Sequence, residues 1–217
     1  MKYFTFIALL VISISCAQNN KQVSQDKSEN VEPKEVPAPE GYEAAVFASG
    51  CFWCVEAIYE SVIGVKESIS GYSGGHTKNP TYEESNTGRT GHAEAVKIIY
   101  DPEKIDFKTL VDVYFASQNV TQQNGQGPDR GSQYRSIIFY ENDEQQKVIK
   151  EKIESLQSQY DEPIAAEVKP FDKFWVAEDY HQDYKKKHPN NGYIQNVSNP
   201  RFKRFAEKMP ELLKSNQ

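Results

Sequence analysis

Cys51 and Cys54 stand three residues apart in "SGCFWCVEA", with Phe52 and Trp53 between them. Two thiols at this spacing can exchange disulfides, bind a metal or run a catalytic cycle. The chain has three cysteines, and the third, Cys16, lies at the end of an N-terminal apolar run. A bridge between Cys51 and Cys54 would close too small a loop to constrain the unfolded chain, so a structural disulfide explains the pair poorly. A structural zinc needs about four ligands, commonly a second cysteine pair or two closely spaced histidines. His76, His92, His181 and His188 do not offer that spacing. The pair therefore reads as chemically active.

The surrounding elements must position it. Residues 42–50 alternate apolar and small side chains and predict a strand ending at Gly50. From Cys51, the apolar positions Trp53, Ala57, Ile58 and Val62 form a helical face that stops at Gly64. Cys51 then sits at a helix N-terminus, where unpaired N–H groups and the helix dipole would lower a thiol pKa. Residues 65–75 read as a strand into a glycine turn, 76–92 as a long polar loop, and 93–102 as a strand stopped by Pro102. A helix follows over 107–117, a Gly-rich loop over 125–134, and a strand over 135–141. Residues 142–160 predict a strong amphipathic helix capped by Asn142 or Asp143. A strand over 165–171 and a short helix over 177–189 complete the pattern, with further short helical pieces behind. The order is close to β-α-β-β-α-β-α-β. It predicts an α+β, two-layer sandwich of ferredoxin-like type with a mixed or antiparallel sheet.

A cysteine pair after a strand also fits a thioredoxin-like redox site. That site wants a cis-proline loop close to the thiols, whereas the nearest downstream proline, Pro80, lies in a polar stretch. The formal net charge of -6 is well mixed along the chain and argues against a nucleic-acid partner.

The N-terminus, "MKYFTFIALLVISISCAQNN", has the layout of a secretory signal, and its apolar run is too short to span a membrane comfortably. "SISC" reads as a lipoprotein box that would make Cys16 a lipid-bearing N-terminus, although Ser13 stands where leucine is usual. Cleavage after Ala17 is the alternative, giving a soluble exported protein. Residues 17–41 carry no aromatics and few aliphatics and read as a disordered tether. The folded domain is expected over 42–210.

"GCFWCVEA", "GYSGG", "NPTYEESNTGRTGHAEAV", "GSQYRSIIFY" and "FWVAEDYHQDY", in this order, resemble the peptide methionine sulfoxide reductase A family. The resemblance runs from about Ala44 to Asn199. It implies an oxidoreductase that reduces the S epimer of methionine sulfoxide, free or in proteins, and so repairs oxidised chains. It implies Cys51 as nucleophile and Glu94 as an acid whose pKa burial must raise. Tyr82 and Tyr134 match the hydroxyls that bind the sulfoxide oxygen. Phe52 and Trp53 match the apolar pocket for the S-methyl group. Asp129 matches a position that contacts substrate or steadies the site, with Arg130 beside it as another partner. His181 reads as an orienting residue rather than a base.

The resemblance further implies a Cys51 sulfenic acid that must be resolved. Here the chain departs from many relatives. The tail "NVSNPRFKRFAEKMPELLKSNQ" has no cysteine, and Asn86 stands where some relatives carry one. Cys54, where many relatives have glycine, is the expected resolver. A Cys51–Cys54 disulfide re-reduced by a thioredoxin-like dithiol donor is therefore expected, with no bound cofactor and no metal. Direct resolution by an external thiol is the alternative. A general disulfide exchanger and a non-catalytic redox or peptide-binding lipoprotein are the rival functions.

Overall fold

The computed structural model describes Met1, Lys34 and residues 36–215. The signal and Cys16 lie outside the described residues, as does most of the expected tether.

Strand β1, Glu43–Ser49, feeds helix α1, Phe52–Glu60, and the chain returns through β2, Val65–Ser73. A short helix α2, Tyr82–Asn86, precedes β3, Ala93–Tyr100, and α3, Phe107–Ala116. The hairpin strands β4, Gly125–Gln126, and β5, Asp129–Arg130, lead to β6, Ser136–Tyr140. Then come α4, Asp143–Gln157; β7, Glu167–Pro170; β8, Phe174–Val176; α5, Tyr184–Lys187; and α6, Asn199–Lys208.

Six strands form one sheet in the order β7-β6-β1-β3-β2-β8. The unit β1-α1-β2-β3-α3-β6, with β6-β1-β3-β2 side by side, is the ferredoxin-like arrangement read from the sequence. β7 extends one edge parallel to β6, and β8 extends the other antiparallel to β2.

The strand period of two divides the core between the faces. Ala45 and Phe47 of β1 meet Val55, Ile58 and Tyr59 of α1 and Leu110 and Tyr114 of α3 in the larger cluster. Val46 and Ala48 turn to the opposite face with Ile69, Ala95, Ile99 and Phe139. There Val36, Ala38 and Tyr42 pack against it. The tether reading thus ends before residue 41, because two aliphatics among prolines find an apolar face to cover.

The glycines at two sites are dictated by space. Gly50 has φ +81°, and a Cβ there would collide with Gln126 Cβ, so "GC" turns sharply out of β1. A Cβ on Gly71 would collide with the Trp175 carbonyl oxygen and the Phe174 ring. Gly71→Ala should push β8 off β2 and destabilise by about 2–3 kcal/mol in urea or thermal denaturation. A loss near zero would show that β8 yields freely.

Three local expectations need correction. The loop over 76–92 contains α2, nucleated by a capping box in which Thr81 and Glu84 cap each other's backbone N–H groups. Five residues are too few for a periodic signal. The loop over 125–134 holds the β4–β5 pair and a 3₁₀ turn at Ser132–Tyr134. The helix expected over 177–189 breaks into a 3₁₀ turn, Asp179–His181, and α5, because Asp183 takes a left-handed φ of 56°. The long helix α4 starts as expected, with Asn142 accepting from the Gln145 N–H at 2.9 Å.

Candidate active site

Cys51 is the N-cap of α1, reached through the Gly50 turn at the end of β1. β1 pairs with β3 in the register Phe47↔Val96, which carries Glu94 to the same end of the sheet. The Glu94 Oε2 accepts the Phe52 N–H at 2.9 Å, the first helical N–H after the cysteine. Burial at 2% exposure raises the Glu94 pKa to about 8, with the Phe52 N–H opposing and the nearby Asp129 and Cys54 adding to the rise. The carboxyl therefore keeps its proton near neutral pH, beside the cysteine.

Both cysteines are buried free thiols, and each acts on the other's ionisation. The expected lowering of the Cys51 pKa does not occur. Burial pushes it well above the ordinary thiol range, the Cys54 neighbour adds to that, and the Phe52 N–H serves Glu94. Cys54 is instead pushed down to about 6, first by the neighbouring Cys51 thiol and then, against burial, by the Arg201 charge. The pair loses its first proton easily, and the charge rests on Cys54.

Aromatic rings enclose the thiol side of Glu94. Phe52 is buried and lies nearly parallel to Tyr82, with centroids 6.3 Å apart and planes 17° apart. Trp53 stacks on Tyr184 at 3.7 Å, and its Nε1–H donates to His181 Nδ1 at 3.0 Å. Burial holds His181 neutral by lowering its pKa to about 4, so the acceptor role fixes its proton on Nε2. His181 thus orients the indole and takes no proton, as the sequence suggested. Tyr82 and Tyr134 both feel the charges of Glu94 and Cys51, and burial raises both phenols. Both hydroxyls remain donors at all working pH values. They belong to half-exposed side chains, whereas Cys51 and Glu94 are buried.

Asp129 joins the cluster through Tyr193, whose hydroxyl donates to Oδ2 at 2.5 Å and lies 3.9 Å from Cys54 Sγ. This phenol, not Arg130, is its bonded partner. The eight residues that the resemblance assigned to catalysis and substrate binding thus meet at one end of the sheet.

Four further residues support them. Glu178 accepts the Tyr82 N–H at 2.9 Å and the Tyr72 hydroxyl at 2.9 Å, which seats α2. Glu56, further along α1 from Cys51, accepts the Asp183 N–H at 3.1 Å and so ties α1 to the segment carrying Glu178, His181 and Tyr184. Tyr193 and Arg201 come from the C-terminal part. Glu56 and Glu178 stand inside recognised motifs. Tyr193 is one of 13 tyrosines with nothing in its neighbourhood to mark it.

A buried dithiol, a protonated carboxyl and an aromatic cage on a ferredoxin-like sheet define a thiol-dependent oxidoreductase. Residues 43–213 match the family model described as peptide methionine sulfoxide reductase, and the chain belongs to that family. It is 46% identical over 189 residues to peptide methionine sulfoxide reductase MsrA 1 of Rhodopirellula baltica, covering 87% of this chain and 97% of the relative. It is 47% identical over 172 residues to MsrA of Pasteurella multocida, covering 79% and 99%. Among solved structures it resembles Mxr1 of Saccharomyces cerevisiae in reduced form, at 29% identity and a TM-score of 0.67, over 74% of this chain and 93% of that one. Methionine sulfoxide reductase A of Corynebacterium diphtheriae matches at 32% identity and a TM-score of 0.64, over 70% and 78%.

Proposed function

We propose that this protein reduces the S epimer of methionine sulfoxide, free or in proteins, to methionine. The observation that carries this is the buried Glu94 carboxyl, protonated near neutral pH and bonded to the first N–H after Cys51. A sulfoxide sulfur accepts a thiolate only when its oxygen is protonated or strongly hydrogen-bonded. Phe52 and Trp53 receive the S-methyl group, Tyr82 and Tyr134 donate to the oxygen, and Asp129 with Tyr193 steadies the open side.

The Cys51 proton passes to Cys54 as Cys51 attacks the sulfur. Glu94 gives its proton to the oxygen. The oxygen moves to Cys51 as sulfenic acid, methionine leaves, and Cys54 returns a proton to Glu94. Cys54 thiolate then attacks the sulfenic sulfur, the S–O bond breaks, and water leaves with the Glu94 proton. The Cys51–Cys54 disulfide is reopened by a thioredoxin-like dithiol. The N-terminal sequence supports export, with a lipid on Cys16 or cleavage after Ala17.

The test is a single turnover without reductant. Reduced protein is mixed with excess methionine S-sulfoxide, and methionine and remaining thiols are counted after quenching. One methionine per chain with Cys51 and Cys54 both oxidised is expected. One methionine with one thiol left would remove Cys54 as resolver, and no methionine would remove the reductase reading.

A further inference from the structure

Arg201 is a buried cation with no carboxylate bonded to it. It projects from α6 and is 7% exposed. Its Nε donates to the Ser117 carbonyl at 2.8 Å, Nη1 to the Ser49 carbonyl at 2.9 Å, and Nη2 to Ser49 Oγ at 3.1 Å. Every one of these acceptors is neutral. Among the described residues no Asp or Glu forms an ion pair with it. A guanidinium cannot shed its proton to escape the cost of burial. Burying such a charge is costly unless an anion stands nearby.

Its place suggests which anion. Ser49 is the last residue of β1, two before Cys51, and Nη1 lies 3.5 Å from where a Gly50 Cβ would stand. The guanidinium is thus fastened behind the turn that presents the cysteine pair. We infer that Arg201 is a positioning residue for the resolving step: its fixed charge keeps Cys54 as thiolate, ready to close on the Cys51 sulfenic acid. The inference rests on Cys54 being the resolver.

The chemistry balances without a further reagent. Cys54 supplies the electron pair of the new S–S bond and is oxidised. The sulfenic sulfur is reduced as its S–O bond breaks, and hydroxide leaves as water with the Glu94 proton.

Other groups facing Cys54 act differently. Cys51 shares its proton, and after attack it is a sulfenic acid. Glu94 and Asp129 are acids; Asp129 also lies in the Arg201 field, but burial outweighs that charge and its carboxylate is already tied to Tyr193, the phenol beside Cys54. Lys185 of α5 is the other cation whose field reaches Cys54, but its Nζ sits 3.9 Å over the Phe202 ring. It is half-exposed, so its charge is screened more strongly.

The test follows both steps of the single turnover from pH 6 to 9 in wild type, Arg201→Gln, Arg201→Lys and Lys185→Met. Methionine release reads the first step, and disulfide closure, with dimedone trapping of sulfenic acid, reads the second. In wild type, closure should be nearly flat from pH 7 to about 8 and fall above it, as the Glu94 carboxyl that protonates the departing hydroxide ionises. In Arg201→Gln, one methionine per chain should still form, which also shows that the variant is folded. Closure should slow about tenfold relative to wild type at pH 7, the lost ionisation being partly offset by a more nucleophilic thiolate, and the gap to wild type should narrow towards pH 9. Arg201→Lys should keep the wild-type profile, and Lys185→Met should change closure less than twofold. Should Arg201→Gln not fold, thiolate absorbance of the reduced wild type decides. One thiolate per chain at pH 7 supports the inference, and none overturns it. Equal closure rates and profiles in wild type and Arg201→Gln would overturn it, as would an Arg201→Lys profile matching Arg201→Gln. A wild type that releases methionine but keeps one thiol would remove the resolver and this inference together. A wild type that releases none would strike the proposed function itself.

Discussion

Glu94→Gln is expected to slow methionine formation by about 10²–10⁴-fold at pH 7, the range a positioned general acid supplies. Glutamine can still accept the Phe52 N–H, so the turn before α1 keeps its bond while the proton is gone. The pH profile is the sharper readout. The wild-type carboxyl is held to about 8 by burial, so the first step should be lost as pH rises through that value. The variant should show no such alkaline limb in its residual rate. A glutamine variant within tenfold of wild type, or one that keeps the limb, would mean that the proton comes from elsewhere.

Glu56→Gln should make the protein more stable at high pH, although it replaces a buried, bonded carboxyl. Glu56 is 2% exposed, and burial, with the Glu60 and Asp183 carboxyls near it, raises its pKa from 4.5 to about 8. Lys186 is engaged with those neighbours, bonding Glu60 at 2.8 Å and Asp183 at 3.0 Å. The folded pKa is above the unfolded one. The stability this group contributes is therefore whole below about pH 4.5 and is lost as pH rises through about 8. Wild type should weaken across that window, and Glu94 adds to the weakening with the same sign. The substituted glutamine keeps an acceptor for the Asp183 N–H and never ionises. At pH 9 the variant should gain about 2–4 kcal/mol in denaturant unfolding, while at pH 5 the two should agree within about 1 kcal/mol. An equal loss of stability at both values would show that Glu56 is not held protonated.

The sequence carried the ferredoxin-like order because its strands alternate and α1 and α4 keep a helical face over several turns. α2 escaped because one turn has no period, though the threonine and glutamate of its capping box stood in plain view. The broken helix after residue 177 escaped because nothing local marks Asp183 for a left-handed turn. At that break the Gln182 side chain bonds both the N–H and the carbonyl of Ser70, a partner far away in sequence. The motif residues of the site were legible, but their electrostatics were not. A helix N-terminus argues for an acidic Cys51, and only the packed structure shows that burial and Cys54 reverse the sign. Arg201 and Tyr193 were invisible for a related reason, since their partners are far away in sequence.

That distance bears on how the protein folds. The contacts that finish the site span most of the chain: Trp53 to His181 over 128 residues, Cys54 to Tyr193 over 139, and Arg201 to Ser49 over 152. Contacts of such long loop closure form late and slow a folding chain. The thiols belong to the first part of the domain, and the groups that enclose them arrive with its last part. Until the C-terminal part docks, Cys51 and Cys54 lack the Tyr193 and Arg201 contacts that complete their surroundings and are easier for an oxidant or a stray cysteine to reach. A nascent or refolding molecule is thus more vulnerable to the damage its finished form is built to repair.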